Sequence, residues 1–330
     1  MIISHKRLWR TIVTIGLALV LTAGLMAFGQ SGRVDPTIAS YKKVSGVSGS
    51  LSSVGSDTLN NVVTMWGEMF SKFYPSVRVQ VEGKGSGTAP PALIAGTAQL
   101  GPMSRQMKST ESEGFEKKYG YKPTEVKVAV DTIAVWVHKD NPIKSLSLEQ
   151  VDAIFSKTRR GGYKEDIRTW GQLGLTGEWA NKPISLHGRN SVSGTYGFFK
   201  EHVLKNGDYK NEVKEQPGSA AVVQGVSVDK YAVGYCGIGY KTAGVRAVPL
   251  APKEGAVAVI ANAANAYSGK YPISRFLYVY VNRAPGNALD PLVKEFMLMA
   301  LSKEGQDVVL KDGFFPLPLA TVREELKKVQ

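Results

Sequence analysis

Three short turns rich in Ser, Gly and Thr recur along this chain, each between a strand-like and a helix-like segment. That alternation confines the chain to an α/β fold. The first turn, Gly55-Ser56-Asp57-Thr58, follows Leu51-Ser52-Ser53-Val54. It leads into Leu59, Val62, Val63, Trp66, Met69, Phe70 and Phe73, which recur at helical spacing. In the second, Val77, Val79 and Val81 alternate with Arg78 and Gln80 as a half-buried strand does. Gly83-Lys84-Gly85-Ser86-Gly87-Thr88 then leads to Pro90 and Pro91, residues suited to the first turn of a helix. In the third, a short strand at Ile184-Ser185-Leu186 precedes Ser193-Gly194-Thr195 and a helix expected from Tyr196 to Leu204.

The rest of the pattern agrees. Val126, Val128, Val130, Ile133, Val135 and Val137 mark a long strand that breaks at Asn141-Pro142. Ser147-Leu148-Glu149-Gln150 reads as a capping box opening a helix through Phe155. Residues 159–179 read mostly as loop, and residues 31–48 as an extension ahead of the first structured unit. Phe276 to Val281 is a buried-strand run. Asp290-Pro291 then caps a helix through Ala300, with Gly305 expected at its end.

All three turns suit one chemistry. At a helix N-terminus the first N–H groups lack intrahelical partners and the dipole is positive, which favours an anion. Gly lets the backbone approach closely, and Ser or Thr hydroxyls add donors without bulk. Arg189, four residues before Ser193, adds a planar, permanent charge suited to a tetrahedral oxyanion. Such turns are also ordinary helix caps, so the weight lies in three of them with an arginine.

Charge and compartment narrow the class. The 41 Lys and Arg against 28 Asp and Glu give +13, a surface that draws anions. The basic residues are dispersed, with no dense run interleaved with aromatics, so no nucleic-acid partner is expected. His5, Lys6, Arg7 and Arg10 precede an apolar stretch from Thr11 to Phe28. With Ala27-Phe28-Gly29 this makes residues 1–29 a signal peptide, and an uncleaved anchor helix is the alternative. Either way the bulk of the chain is placed outside the cytoplasm. The single cysteine, Cys236, allows no intrachain disulfide and reads as buried and structural. With four His in the chain, no metal site, cofactor or catalytic triad is expected.

At these residues the chain resembles the phosphate-specific substrate-binding proteins of bacterial ABC transporters. The carrying segments are Val54 to Leu59, Gly83 to Thr88, Gly101-Pro102-Met103-Ser104-Arg105, Gly188 to Thr195 and Tyr231 to Tyr240, with Asn141-Pro142-Ile143 and Leu148 to Phe155 between them. The resemblance implies a two-lobed type II periplasmic binding protein: an α/β fold with a central ligand cleft and two crossover strands. Lobe one would be residues 49–136 plus 272–330, and lobe two 137–271. It further implies a monomer that binds inorganic phosphate by hydrogen bonds and delivers it to membrane ABC permease subunits. Carried over by position, Thr58, Leu59, Ser86 and Ser104 with Arg105 would line lobe one. Arg189, Ser193, Gly194 and Thr195 would line lobe two.

Two positions depart from the family pattern. Some relatives carry an Asp after the Ser of the third segment, accepting the proton of hydrogen phosphate, where this chain has Arg105. A buried donor or acceptor left unpaired costs about 1–3 kcal/mol, so an acceptor is expected elsewhere, at Asp57 or Asp131. Asp57 has the alternative role of a helix cap, and Asp131 that of neutralising Arg105. The second departure is Ser191, where some relatives carry an Asp that pairs with the binding Arg. Sulfate or molybdate therefore stand as rival ligands. An exported phosphatase stands as a rival activity, against which there is no activated nucleophile with a base at hand.

Overall fold

The computed structural model describes residues 32–330, so the expected signal sequence at 1–29 lies outside the described residues. The first strand, β1 (Gly49–Val54), pairs in parallel with β2 (Val77–Glu82), with Leu51 opposite Val79. Between them a single 3₁₀ turn at Asp57–Leu59 runs straight into α1 (Asn60–Phe73). The helical spacing has its cause here: Val62, Val63, Trp66 and Phe70 are all buried on one face. Burying each such side chain is worth about 1.5–3 kcal/mol. A second 3₁₀ turn at Ser86–Thr88 leads into α2 (Ala89–Ala95), which carries its prolines in the first turn. Leu100, just before strand β3 (Gly101–Met103), bridges in parallel to Ser53 of β1, and α3 (Ser109–Tyr119) follows.

Strand β4 (Thr124–His138) organises the molecule. Its first part, Thr124–Thr132, pairs antiparallel with β11 (Ser274–Val281). Its last part, Ile133–Val137, pairs with β8 (Ala232–Gly237). The minor pair β5 (Leu146–Ser147) and β10 (Leu250–Ala251) flanks α4 (Leu148–Phe155). The expected capping box is formed, with Gln150 N–H donating to Ser147 Oγ at 3.1 Å and Ser147 N–H to Gln150 Oε1 at 2.9 Å. Residues 159–179 are loop with two 3₁₀ turns, Trp170–Leu173 and Gly177–Trp179.

Strand β6 (Ser185–Arg189) precedes α5 (Gly194–His202), and β7 (Lys214–Gln216) precedes α6 (Ser219–Val228). β6 runs parallel to both β7 and β8, and β9 (Val245–Ala247) adds to β4. The chain returns through α7 (Ala263–Tyr267) and β11 to α8 (Pro291–Ala300), α9 (Lys303–Lys311) and α10 (Leu319–Val329).

The apolar interior divides along β4. Leu51, Trp66, Phe70, Val126 and Val128 pack with Leu277, Phe296, Val309 and Val329. Ile133, Val135, Phe155, Phe199 and Tyr235 pack with Tyr271 and Ile273. Two lobes result, with β4 continuous through both.

Three local expectations are corrected. The third helix starts at Gly194 rather than Tyr196, because Ser193 caps it. Gly305 does not end the helix begun at Pro291, which stops at Ala300. Ser302 caps a new helix there, and Gly305 lies in its first turn, where an added Cβ would meet the Met299 carbonyl at 2.2 Å. The segment before β1 is packed rather than free. Ile38 and Val47 are buried in the first core, and the Tyr41 hydroxyl lies 2.6 Å from that of Tyr74 and donates to Glu295 Oε2 at 2.7 Å.

Candidate functional site

Parallel strands present their carboxyl ends along one rim, where loops are free to hold a ligand. In this chain β1, β2 and β3 of the first lobe end at Val54, Glu82 and Met103. Strands β6, β7 and β8 of the second end at Arg189, Gln216 and Gly237. The two rims face each other, and the expected site residues meet at the seam. Thr58 Oγ1 lies 3.1 Å from Thr195 Oγ1 of the other lobe, and both are buried. Ser86 Oγ accepts from Ser104 N–H at 2.9 Å and lies 3.2 Å from Ser104 Oγ. Gly194 faces that pair so closely that a Cβ would sit 2.3 Å from Ser86 Oγ and 2.6 Å from Ser104 Oγ. At Gly85, φ is +121° and Val192 of the other lobe would stand within 2.8 Å of a Cβ, so only glycine fits. Gly87 N–H donates to the Val192 carbonyl at 3.0 Å, completing a seam closed from both sides.

Arg189 is a buried cation of the second lobe that faces the seam. Its Nη1 donates to Ser219 Oγ at 2.7 Å and its Nη2 to the Pro217 carbonyl at 3.3 Å, while Nη2 lies 3.1 Å from Asp57 Oδ2. Its Nε is buried with no partner among the described residues, as is the hydroxyl of Ser56. Asp57 also accepts from the Ser219 N–H at 2.9 Å and hydroxyl at 3.0 Å. The counter-charge that some relatives place two residues after this Arg comes here from the first lobe. Asp57 is thus a partner of Arg189 rather than a cap of its own helix, for its side chain caps nothing there.

Other expected residues are placed differently. Leu59 N–H donates to the Ser56 carbonyl at 3.2 Å within its 3₁₀ turn, and the Leu59 side chain is core. Ser193 Oγ accepts from the N–H groups of Thr195 at 3.1 Å and Tyr196 at 3.3 Å, as a helix cap. The Arg105 guanidinium is clamped bidentately by Glu111, with both bonds at 2.7 Å. Burial works against that Glu111 carboxylate, yet the Arg105 fork and the Lys108 N–H hold it below its ordinary range. The reading of Asp131 as the neutraliser of Arg105 is corrected. Asp131 Oδ2 accepts from Arg275 Nε at 3.0 Å and Nη2 at 2.8 Å, and Oδ1 from Ile238 N–H at 3.2 Å. Complete burial pushes the Asp131 carboxyl up, and the Arg275 charge opposes that push. Cys236 is buried on β8 and accepts from Trp136 Nε1 at 3.1 Å. Burial raises its thiol to about 12, leaving it unreactive.

Residues 42–304 match the model of a PBP superfamily domain. The chain is 59% identical over 309 residues to the phosphate-binding protein PstS of Pseudomonas aeruginosa, covering 94% of this chain and 96% of that one. The chain belongs to the PstS family of phosphate-binding proteins. Among solved structures, a Clostridium perfringens protein described as a phosphate ABC transporter substrate-binding protein, with bound phosphate, superposes at a TM-score of 0.69 and 27% identity. That match covers 82% of this PstS-family chain and all of the other. An ABC-type phosphate transport receptor of Vibrio cholerae, at 23% identity and a TM-score of 0.62, shares the fold over 81% of this chain.

Three residues that complete the PstS-family seam were missed in the sequence. Ser219 opens α6 beside Arg189, and the Tyr240 hydroxyl donates to the Asp57 carbonyl at 2.8 Å. Arg275 was the one with a signal. It is a charge immediately before the apolar run Phe276–Val281, and such a residue is seldom buried without a partner.

Proposed function

We propose that this chain captures inorganic phosphate between its lobes and delivers it to the membrane subunits of an ABC permease. The observation that carries this reading is the seam itself. Thr58, Ser86, Ser104 and Thr195 converge there from both lobes, flanked by the buried guanidiniums of Arg189 and Arg275. Donors fixed in place before the ligand arrives lose little freedom on binding it. No bond of the ligand is broken, and closure of the lobes is the signal a permease reads. The expected division into residues 49–136 plus 272–330 and 137–271 is kept in outline, but Ile133, Val135 and Ile273 pack in the second core, which favours crossings near residues 132–133 and 273–274. Thr58, Ser86, Ser104, Arg189, Gly194 and Thr195 form the binding set. Leu59 and Ser193 support the backbone, and Arg105 sits at the cleft mouth. The 59% identity to a PstS protein supports an exported, periplasmic location. The chain is read as acting as a monomer. Among the described residues no helix is long and apolar enough to cross a membrane.

Calorimetric titration of ligand-free protein with phosphate and then sulfate tests this. One-to-one phosphate binding is expected, weakened at least about 100-fold in Arg189→Ala, since charge-assisted bonds are worth about 1.5–3 kcal/mol each. Folded protein that ignores phosphate but takes sulfate or molybdate would replace the ligand, and no oxyanion binding at all would end the reading.

A further inference from the structure

One buried arginine touches both lobes at once. Arg275 stands at the start of β11, where the chain crosses back to the first lobe. Its side chain is 2% exposed. Two of its nitrogens are held by Asp131, on the crossing point of β4. Nη1 donates to the Ser104 carbonyl of the first lobe at 2.5 Å, and Nη2 donates to Thr195 Oγ1 of the second at 2.8 Å. The guanidinium carbon also lies 5.3 Å from the ring centre of Phe198, on the same helix as Thr195. Asp131 and Arg275 thus form a fixed post between the two crossing strands. The contacts to Thr195 and Phe198 are the ones that lobe opening would break.

The bond to Thr195 also has a chemical direction. A guanidinium only donates, so Thr195 Oγ1 must accept from it, and its single proton is left to point elsewhere. Thr195 Oγ1 lies against Thr58 Oγ1, at the centre of the seam. With a cation donating to one of its two lone pairs, the hydroxyl is favoured to direct its proton away from Arg275, toward that centre. Ser86 is treated alike by the Ser104 N–H on the other side.

The geometry points to Arg275 as a positioning residue that couples anion capture to lobe closure: it sets Thr195 as a donor to the anion and latches the second lobe onto the Asp131 post. This rests on the phosphate-binding reading for its ligand, while the latch stands on the inter-lobe contacts themselves.

The test uses two variants, because removing Arg275 alone strands the Asp131 charge in the interior. Asp131→Asn/Arg275→Gln removes both charges together. Arg275→Lys keeps a cation opposite Asp131 but lacks the fork needed to reach Thr195 as well. Phosphate affinity is read by calorimetry, lobe opening by small-angle scattering without ligand, and folding by thermal melting. Each variant is expected to bind phosphate about 10–100-fold more weakly than wild type, the worth of one charge-assisted bond. Its ligand-free radius of gyration should rise. Thr195→Val should cost less affinity in either variant than in wild type, which a purely structural role for Arg275 would not produce. Affinities within about 2-fold of wild type, or a Thr195→Val effect that is simply additive, would overturn the assignment. If wild type itself binds no phosphate, the functional reading fails separately, and an unchanged ligand-free radius in both variants would then sink the latch as well.

Discussion

At Gly194 the seam leaves no room for a methyl group, and the atoms it would strike belong to the opposite lobe. Gly194→Ala should therefore hold the lobes apart while sparing each core. The expected result is a melting temperature close to wild type with phosphate affinity reduced at least about 10-fold, since a misplacement of even one ångström costs a hydrogen-bonded site heavily. Residues of this kind were legible in the sequence. Thr58, Ser86, Gly194 and Thr195 stand in turns that singly read as helix caps but recur three times beside an arginine. The charge partners were not legible. Asp57 answers Arg189 across 132 positions of chain, and Asp131 answers Arg275 across 144. No local pattern encodes a pairing that exists only once two lobes have met.

The elements themselves were more readable than their ends. Apolar spacing fixes the faces of α1 and β4, since burial on one side is what the spacing records. Boundaries depend on single caps, and these decided the differences. Ser193 moved the start of α5 forward to Gly194, and Ser302 split the last helical stretch in two. Because Ser193 satisfies two N–H groups of α5, Ser193→Ala should lower stability by about 1 kcal/mol in urea unfolding. Ser193→Gly should cost only a few tenths, since glycine is tolerated at a cap. Equal losses in both variants would show that the hydroxyl is not acting as a cap.

For the molecule as a whole, the contact between lobes reaches beyond the seam. The Asp312 carbonyl lies 2.7 Å from where a Cβ on Gly239 would stand, between the end of α9 and the second lobe. Burial raises the Asp312 carboxyl to about 6, against the lowering bond from Asn61. A group whose folded pKa lies above its unfolded value adds stability at low pH, and that stability is lost as pH rises through the folded value. Relative to wild type, Asp312→Asn should flatten the fall in melting temperature between about pH 4 and pH 6, an effect reduced by the group's partial exposure to solvent. Identical pH profiles would show that Asp312 titrates normally. The two-lobed architecture was legible at this scale through the family resemblance and the long strand at Val126–Val137, while the closeness of the lobes was not. The way the chain divides between its cores also bears on how it is made. The first core needs Leu51, Trp66 and Val128 from the early chain, but also Leu277, Phe296 and Val329 from its end. During synthesis the first lobe must wait, its apolar residues without partners, until the chain has been made as far as Val329. A polypeptide built in this order stays threadable for as long as it is being made, which is the state a chain must keep if it is to pass through a membrane before it folds.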